Sequence, residues 1–407
     1  VVSLETRPAI PENCHPYQLS EIIRHRAWVE IDRAALANNV RQIKQMLSPQ
    51  TELMAVVKAD AYGHGAIGVA QTALQAGASL LAIATLGEGI ELREAGIASP
   101  ILVLGAINTP EEVAAIVHWQ LQPTLCTPQQ ALVFCETITE LKQILPVHLK
   151  LDTGMSRLGM PWEQALEFVQ LVQQLPSLKI ASIYSHFATA DDPDPTTMRL
   201  QHQRFQKAIA QLKAHGIVPP RLHVANSAAT LSDRELHYDT VRVGLALYGL
   251  YPALHLQGRV DLKPVLQVKA KITQVKTIPP GTGVSYGHQY TSDLEMPIAV
   301  VSIGYADGVP RNLSNRMQVL LRGQFVPQIG AITMDQLMLD VSNIPDATVG
   351  EVVTLLGKEG DLAISAEDWA NLLGTISWEI LCGFKHRLPR ISINWDNLGE
   401  KILKAEC

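Results

Sequence analysis

Eight short apolar runs, separated by amphipathic helical patterns, are the feature that most limits what this chain can fold into. They cover residues 53–58, 80–85, 101–106, 121–125, 147–152, 180–187, 221–226 and 240–248. Continuous apolar runs of this length read as strands buried on both faces, and strand–helix alternation calls for a parallel sheet. Helix starts are written into the intervening segments. Thr109-Pro110-Glu111-Glu112 and Thr127-Pro128-Gln129-Gln130 each place a capping threonine, then proline, then an acid or amide three residues after the cap. Residues 162–175 and 198–215 repeat apolar side chains at three- and four-residue spacing. Eight strands alternating with helices predict a (β/α)8 barrel in the α/β class. The competing arrangement is an open doubly wound sheet. The count of eight disfavours it, and so does the lack of a glycine-rich dinucleotide turn after the first strand.

Beyond residue 262 the texture changes. Segments 265–272, 296–303, 317–321 and 338–341 alternate apolar and polar side chains, with prolines and glycines between them and one clear helix at 365–373. The expected organisation is an N-terminal extension over 1–26, carrying Pro8, Pro11 and Pro16, then a barrel over 27–262 and a mostly-β C-terminal domain over 263–407. The run 28–31 has no place among the eight strands and is a candidate to pair with the β domain. Of the 407 residues, 47% are hydrophobic and 18% charged, as in ordinary globular proteins. A net charge of −6 with no basic stripe disfavours nucleic acid and anionic membrane as partners. Cys14, Cys126, Cys135, Cys382 and Cys407 are scattered and odd in number. They suggest neither a disulfide framework nor a metal site, and fit a reducing, cytoplasmic location.

In a barrel, reactive side chains belong at the C-terminal ends of the strands. Lys58 ends the first strand, ahead of Ala59-Asp60-Ala61-Tyr62-Gly63-His64-Gly65. Lys150 to Arg157 leave the fifth, His186 lies near the end of the sixth, Asn226-Ser227 end the seventh, and Arg242-Val243-Gly244 lie on the eighth. Taken singly, each residue type is more often structural than reactive. Five polar sites at one rim favour a reactive site. Ser227 and the Gly244 amide sit after strands seven and eight, the usual phosphate corner of such barrels. A lysine held partly dry gains a free amine that attacks carbonyls. A lysine across the mouth from a phosphate cup is the arrangement expected for pyridoxal 5'-phosphate.

On these motifs the chain resembles the alanine racemases over residues 27–390. Val57 to Gly65 is similar to the family's cofactor-lysine motif, and Lys150-Leu151-Asp152-Thr153-Gly154-Met155-Ser156-Arg157-Leu158-Gly159 to its substrate-arginine segment. Ser185 to Asp191, Ala225 to Ala229 and Val241 to Gly249 match three further segments. Val284-Ser285-Tyr286-Gly287, Ile303 to Gly308 and Met334-Asp335-Gln336 match in the β domain. The resemblance implies that Lys58 carries the cofactor and serves as the base on the D face, with Tyr286 the base on the L face. His186 and Arg242 would stand behind Tyr286, and Arg242 would also face the pyridine nitrogen. Tyr62, Asn226, Ser227, Gly244, Leu245 and Trp378 would help hold the cofactor. Arg157 would bind the substrate carboxylate or the cofactor's phenolic oxygen, oriented by a carbamylated Lys150. Tyr305 would narrow the entrance, and Met334 would offer its amide to the substrate. Tyr286, Tyr305 and Met334 would come from a second subunit, making the active unit a homodimer with shared sites.

Three positions depart from the family pattern. Ala331 and Thr333 stand where arginine and cysteine are usual, and Trp378 where tyrosine is usual. None is a base or the cofactor lysine, so the implied activity is interconversion of L- and D-alanine, supplying D-alanine for peptidoglycan. A broader alanine/serine racemase is the alternative, because pockets reject one extra hydroxyl poorly. A decarboxylase of similar architecture would lack the tyrosine base, and a non-catalytic cofactor-binding barrel would lack the β domain.

Overall fold

The computed structural model describes residues 26–384 and 386–394, so residues 1–25 of the expected extension, with Cys14, lie outside the described residues, as does Cys407. The chain divides into two compact units. One takes in 26–31 and Leu266–Ile391, the other Asp32–Val265 with 392–394.

The described chain opens on strand β1 (Ala27–Asp32). Asp32 then caps helix α1 (Arg33–Met46), its carboxylate accepting from the Ala35 amide at 2.8 Å. The barrel unit follows as β2 (Glu52–Val56), β3 (Leu80–Ile83), β4 (Ile101–Ala106), β5 (Gln122–Leu125), β6 (Leu145–Asp152), β7 (Leu178–Tyr184), β8 (Leu222–His223) and β9 (Thr240–Val243). All eight expected strands are present, and every pairing along the order β9-β2-β3-β4-β5-β6-β7-β8 is parallel. The ring closes through single bonds rather than a ladder. The Arg242 amide donates to the Ala225 carbonyl at 3.0 Å and the Asp239 amide to the Leu222 carbonyl at 3.1 Å.

Helices α2 (Ala66–Gln75), α3 (Leu86–Glu94), α4 (Pro110–His118), α5 (Pro128–Leu141), α6 (Ala165–Gln173), α7 (Thr196–Ala214) and α8 (Ser227–Ser232) follow β2 to β8 in turn. The Thr109 cap forms the reciprocal box with Glu112. Thr127 caps the Gln130 amide at 3.2 Å, but the Gln130 side chain accepts from Cys126 N at 2.8 Å and donates to Ile107 O at 3.0 Å. After β9 comes only a 3₁₀ turn, Leu245–Tyr248. Helix α1 packs against that turn, and its buried Asn39 donates to the carbonyls of Leu247 at 3.0 Å and Lys263 at 2.8 Å.

The second unit is mostly β, as its texture predicts. Strands β10 (Leu266–Ile278), β11 (Met296–Val301), β12 (Gln318–Leu321), β13 (Gln324–Ile329), β14 (Leu337–Asp340) and β15 (Val352–Glu359) pair as β10-β11-β14-β13-β12-β15-β10, a closed antiparallel ring. Ile278, Val284, Met296, Ile298, Ile329 and Met338 form one of its buried clusters. β1 pairs antiparallel with β10 from Ala27↔Ala270 to Ile31↔Leu266, which gives the unplaced run its partner. Besides the expected helix, now α9 (Ala366–Leu373), there is a second, α10 (Ser377–Gly383), that periodicity did not reveal. With seven residues it is too short to show a repeat. Among the described residues no helix is long and apolar enough to cross a membrane.

Candidate active site

Lys58 leaves β2 into an unusual turn. Ala59, Asp60, Ala61 and Tyr62 all have φ between 50 and 55°, and Gly63 follows at 81°, so the backbone makes a left-handed turn. Each L-residue held there costs roughly 1–2 kcal/mol, so the turn persists only because its surroundings over-determine it. Asp60 Oδ1 accepts from the Ala66 amide at 2.7 Å, while Glu88 Oε1 takes the Ala59 amide and Oε2 the Ala84 amide, both at 2.7 Å. The His64 ring stacks on Tyr248 at 4.3 Å, and Tyr248 Oη donates to the Val56 carbonyl at 2.9 Å. Glu88 and Tyr248 were not among the expected site residues. Their part is to brace the backbone, and no local spacing announces it.

The turn delivers Tyr62 to the end of β9. A Cβ built on Gly244 would meet Tyr62 Oη at 2.6 Å, so a side chain there would displace the tyrosine hydroxyl. Ser227 Oγ lies at the same place, accepting from the amides of Gly244 at 3.1 Å and Ala246 at 3.4 Å. Asn226 caps α8 by accepting from the Ala229 amide at 3.0 Å. Leu245 is buried beside Gly244. Two hydroxyls and converging amides with no carboxylate among them make a donor set suited to a phosphate. The residues present fit the phosphate end of the expected cofactor.

Arg242, on β9, is 4% exposed. One Nη donates to His223 Nδ1 at 2.9 Å, the other to His186 Nδ1 at 3.0 Å and to the Ser185 carbonyl at 2.8 Å. The guanidinium also lies 5.1 Å from the centre of the Tyr184 ring. Burial brings its pKa down to about 10, so it stays a cation at neutral pH. An imidazole nitrogen that accepts from arginine carries its proton on the other nitrogen. Burial, then Arg242, Lys150, Arg157 and Lys58, holds His186 well below the usual histidine range.

Lys150, on β6, is buried, with its ammonium 5.7 Å from the Tyr184 ring. Burial above all, helped by Arg242 and Arg157 and opposed by Cys126 and Asp152, lowers its pKa to about 8. The following loop is tied by Asp152 Oδ1, which accepts from the amides of Gly154, Met155 and Ser156 at 2.9, 3.0 and 3.1 Å. Arg157 extends from that loop and is exposed.

The remaining expected residues lie in the β unit. Tyr286 is 71% exposed, in a turn whose Ser285 has φ of 63° and donates its hydroxyl to the Ala331 carbonyl at 2.7 Å. Tyr286, Val284, Thr333, Gln336 and Lys276 line a cavity of about 860 Å³. The amides of Tyr305 and Ala306 donate to the carbonyls of Thr333 at 3.0 Å and Met334 at 3.1 Å, so the Tyr305 and Met334 loops are held together. Thr333 closes its own turn. Its hydroxyl accepts from the Gln336 amide at 3.1 Å and donates to the Gln336 carbonyl at 2.9 Å. Trp378 is half-buried on α10.

Fold and site thus define a barrel enzyme with a strand-end lysine, an anion cup and a separate β unit. The description "Alanine racemase, N-terminal domain" matches residues 31–252 and "Alanine racemase, C-terminal domain" residues 265–392. Alanine racemase of Synechocystis is 69% identical over 372 residues, covering 91% of this chain and all of that protein. That of Nostoc is 68% identical over 370 residues, covering 90% and 96%. Among solved structures, alanine racemase from Bacillus anthracis with bound L-Ala-P aligns at a TM-score of 0.86 and 36% identity, covering 91% of this chain and 95% of that one. The enzyme from Streptomyces lavendulae aligns at 0.85 and 35%, covering 92% and 98%. The chain belongs to the alanine racemase family of isomerases.

Proposed function

We propose that this chain interconverts L- and D-alanine with pyridoxal 5'-phosphate, from two bases, and that the D-alanine serves peptidoglycan. The observation that carries the reading is the meeting of Tyr62 Oη, Ser227 Oγ and the Gly244 amide at one point of a barrel whose first strand ends in Lys58. When bound, pyridoxal phosphate withdraws electrons and acidifies the substrate Cα–H. Tyr62, Ser227 and the amides after β9 hold its phosphate, with Asn226, Leu245 and Trp378 shaping the surroundings. Lys58 Nζ takes or returns the Cα proton on one face, and Tyr286 Oη does so on the other, since racemisation needs a proton donor and acceptor on each side. Arg242, a donor that does not readily give up its proton, would face the ring nitrogen and so would leave it unprotonated. His186, held neutral, joins Arg242 to the tyrosine side of the reaction. Arg157 and the Met334 amide bind the substrate carboxylate, and Tyr305 narrows the approach.

Tyr286, Tyr305 and Met334 come from a second copy of the chain in a homodimer. All three are conspicuously exposed on their own unit, at 71%, 43% and 52%. Lys150, with its amine lowered to about pH 8 beside two arginines, adds carbon dioxide at Nζ with loss of a proton. The resulting anion orients Arg157. Serine is the second substrate to test, because Ala331 and Thr333 change the surroundings of Met334.

The test is chiral analysis of L-alanine conversion by the protein with its cofactor, with L-serine in parallel, and the absorption spectrum of the loaded protein. Conversion to D-alanine and a long-wavelength cofactor band are expected. The band should vanish in Lys58→Ala and persist in Tyr286→Phe, whose turnover should collapse. Carbon dioxide release without racemisation would show a decarboxylase instead.

A further inference from the structure

Arg242 is the end of a longer line of hydrogen bonds through the barrel wall. His223 Nε2 lies 2.7 Å from Ser182 Oγ, and Ser182 Oγ lies 2.6 Å from His148 Nδ1. His148 Nε2 lies 2.9 Å from Gln122 Oε1. The line runs from β9 through β8, β7 and β6 to β5, and Ser182, His148, His223 and Arg242 are all buried.

One polarity satisfies every group in it. A guanidinium has donors only, so His223 Nδ1 accepts and its proton sits on Nε2. That proton goes to Ser182 Oγ, so the serine hydroxyl turns its own proton to His148 Nδ1. His148 therefore also carries its proton on Nε2, and needs an acceptor beyond. Gln122 places its amide oxygen there. The two ends of the line agree on one direction, and none of the four side chains beyond Arg242 offers a carboxylate.

We propose that Gln122, His148 and Ser182 are positioning residues: they lock His223 as a neutral acceptor and so fix the Arg242 guanidinium in place. The proposal rests on Arg242 facing the cofactor. Burial and neighbouring positive charge agree with it, since His223 is held well below the usual histidine range and His148 falls to about 3. A proton on His223 would set an N–H against the guanidinium, and one on His148 would take away the acceptor of the Ser182 proton and so disturb the line at its middle.

Histidine-selective 15N NMR of the holoenzyme reads this without any activity. His148 and His223 should both show the Nε2–H form and should not titrate between about pH 5 and 8, the range in which an ordinary histidine loses its proton. Either one in the Nδ1–H form, or titrating in that range, overturns the proposal even if the enzyme is a racemase. Gln122→Glu keeps the shape and favours a proton on His148. That ring also faces Ser182, the His223 ring at 6.2 Å and the lowering influence of Arg221. Its kcat should fall about tenfold, the order of one mispaired buried donor, and recover as pH rises, with KM little changed. A pH profile like that of the unaltered enzyme overturns the proposal. Ser182→Ala should lose a similar factor and Ser182→Thr, which keeps the hydroxyl, should restore it. Equal activity in the two variants would also sink it. Failure of racemisation in the unaltered protein, with the two tautomers as expected, would instead remove the functional reading and leave the line standing.

Discussion

At the residue scale the most consequential side chains are cations kept away from water. Lys150 shows how this couples to stability. Its pKa falls from the ordinary 10.5 to about 8 in the fold. Below about pH 8 both folded and unfolded forms are protonated, and the burial cost of about 3 kcal/mol is fully felt. Between about 8 and 10.5 the unfolded chain binds the extra proton, so stability rises with pH. In CO2-free buffer, Lys150→Met should therefore be more stable than the parent at pH 7 and should lose that rise, as read by urea unfolding. Adding 13C-bicarbonate to the parent should give a lysine carbamate resonance that Lys150→Met lacks. Gly244 marks the opposite constraint, where a side chain would displace the Tyr62 hydroxyl. Gly244→Ala would drive a methyl into Tyr62 Oη and should weaken cofactor binding about tenfold or more, the order of one lost charge-assisted hydrogen bond. A titration followed by absorbance measures it. The places of Lys58, Lys150, His186, Ser227 and Arg242 were legible because polar residues interrupt or end apolar runs, whereas Arg157, in the exposed loop beyond its strand, was singled out by the motif it shares with the family. His223, Ser182 and Gln122 were not, because in sequence they are ordinary strand residues and acquire meaning only from cross-strand register.

At the scale of elements, capping and alternation were readable from local chemistry. The threonine caps at Thr109 and Thr127 form as the sequence predicts, and each strand run lies within a few residues of its expected place. Several elements were hidden, among them strands β13 and β15, two of the six in the second unit's ring, which no expected run covered. The helix after Ile376 is too short for periodicity, and the left-handed turn after Lys58 violates the preferences of its own residues. Four consecutive non-glycine residues at positive φ are paid for by Glu88, Asp60 and the Tyr248 stack. Ala59, exposed and contributing no side-chain bond, is where strain can be relieved at least functional cost. Ala59→Gly should raise unfolding free energy by up to about 1 kcal/mol, the left-handed penalty less the extra entropy of glycine. A loss of stability on that substitution would mean the turn is not strained at this position.

At the scale of the whole molecule, the expected bases belong to different units, Lys58 to the barrel and Tyr286 to the β ring. If a second copy supplies the tyrosine, two inactive variants should rescue one another. Mixing Lys58→Ala with Tyr286→Phe after reversible dissociation should form about one-half heterodimers, each with one intact site of two. The regained activity should approach about a quarter of the parent's. Mixing that restores nothing, with heterodimers demonstrated by sedimentation, would place both bases in one chain.

By itself the sequence determined the barrel, the mostly-β character of the second unit and the strand-end positions of the polar residues. These follow from short-range chemistry, since burial imposes apolar runs, helices announce their caps, and strand ends expose whatever residue stands there. Only the tertiary structure decided what the polar residues do to each other. It closed the ring between β8 and β9 with isolated bonds, bent the chain after Lys58 against its own preferences, and ran one line of hydrogen bonds from Gln122 to Arg242. Those outcomes depend on register and burial shared among strands far apart in the chain, and no local stretch of sequence carries that information.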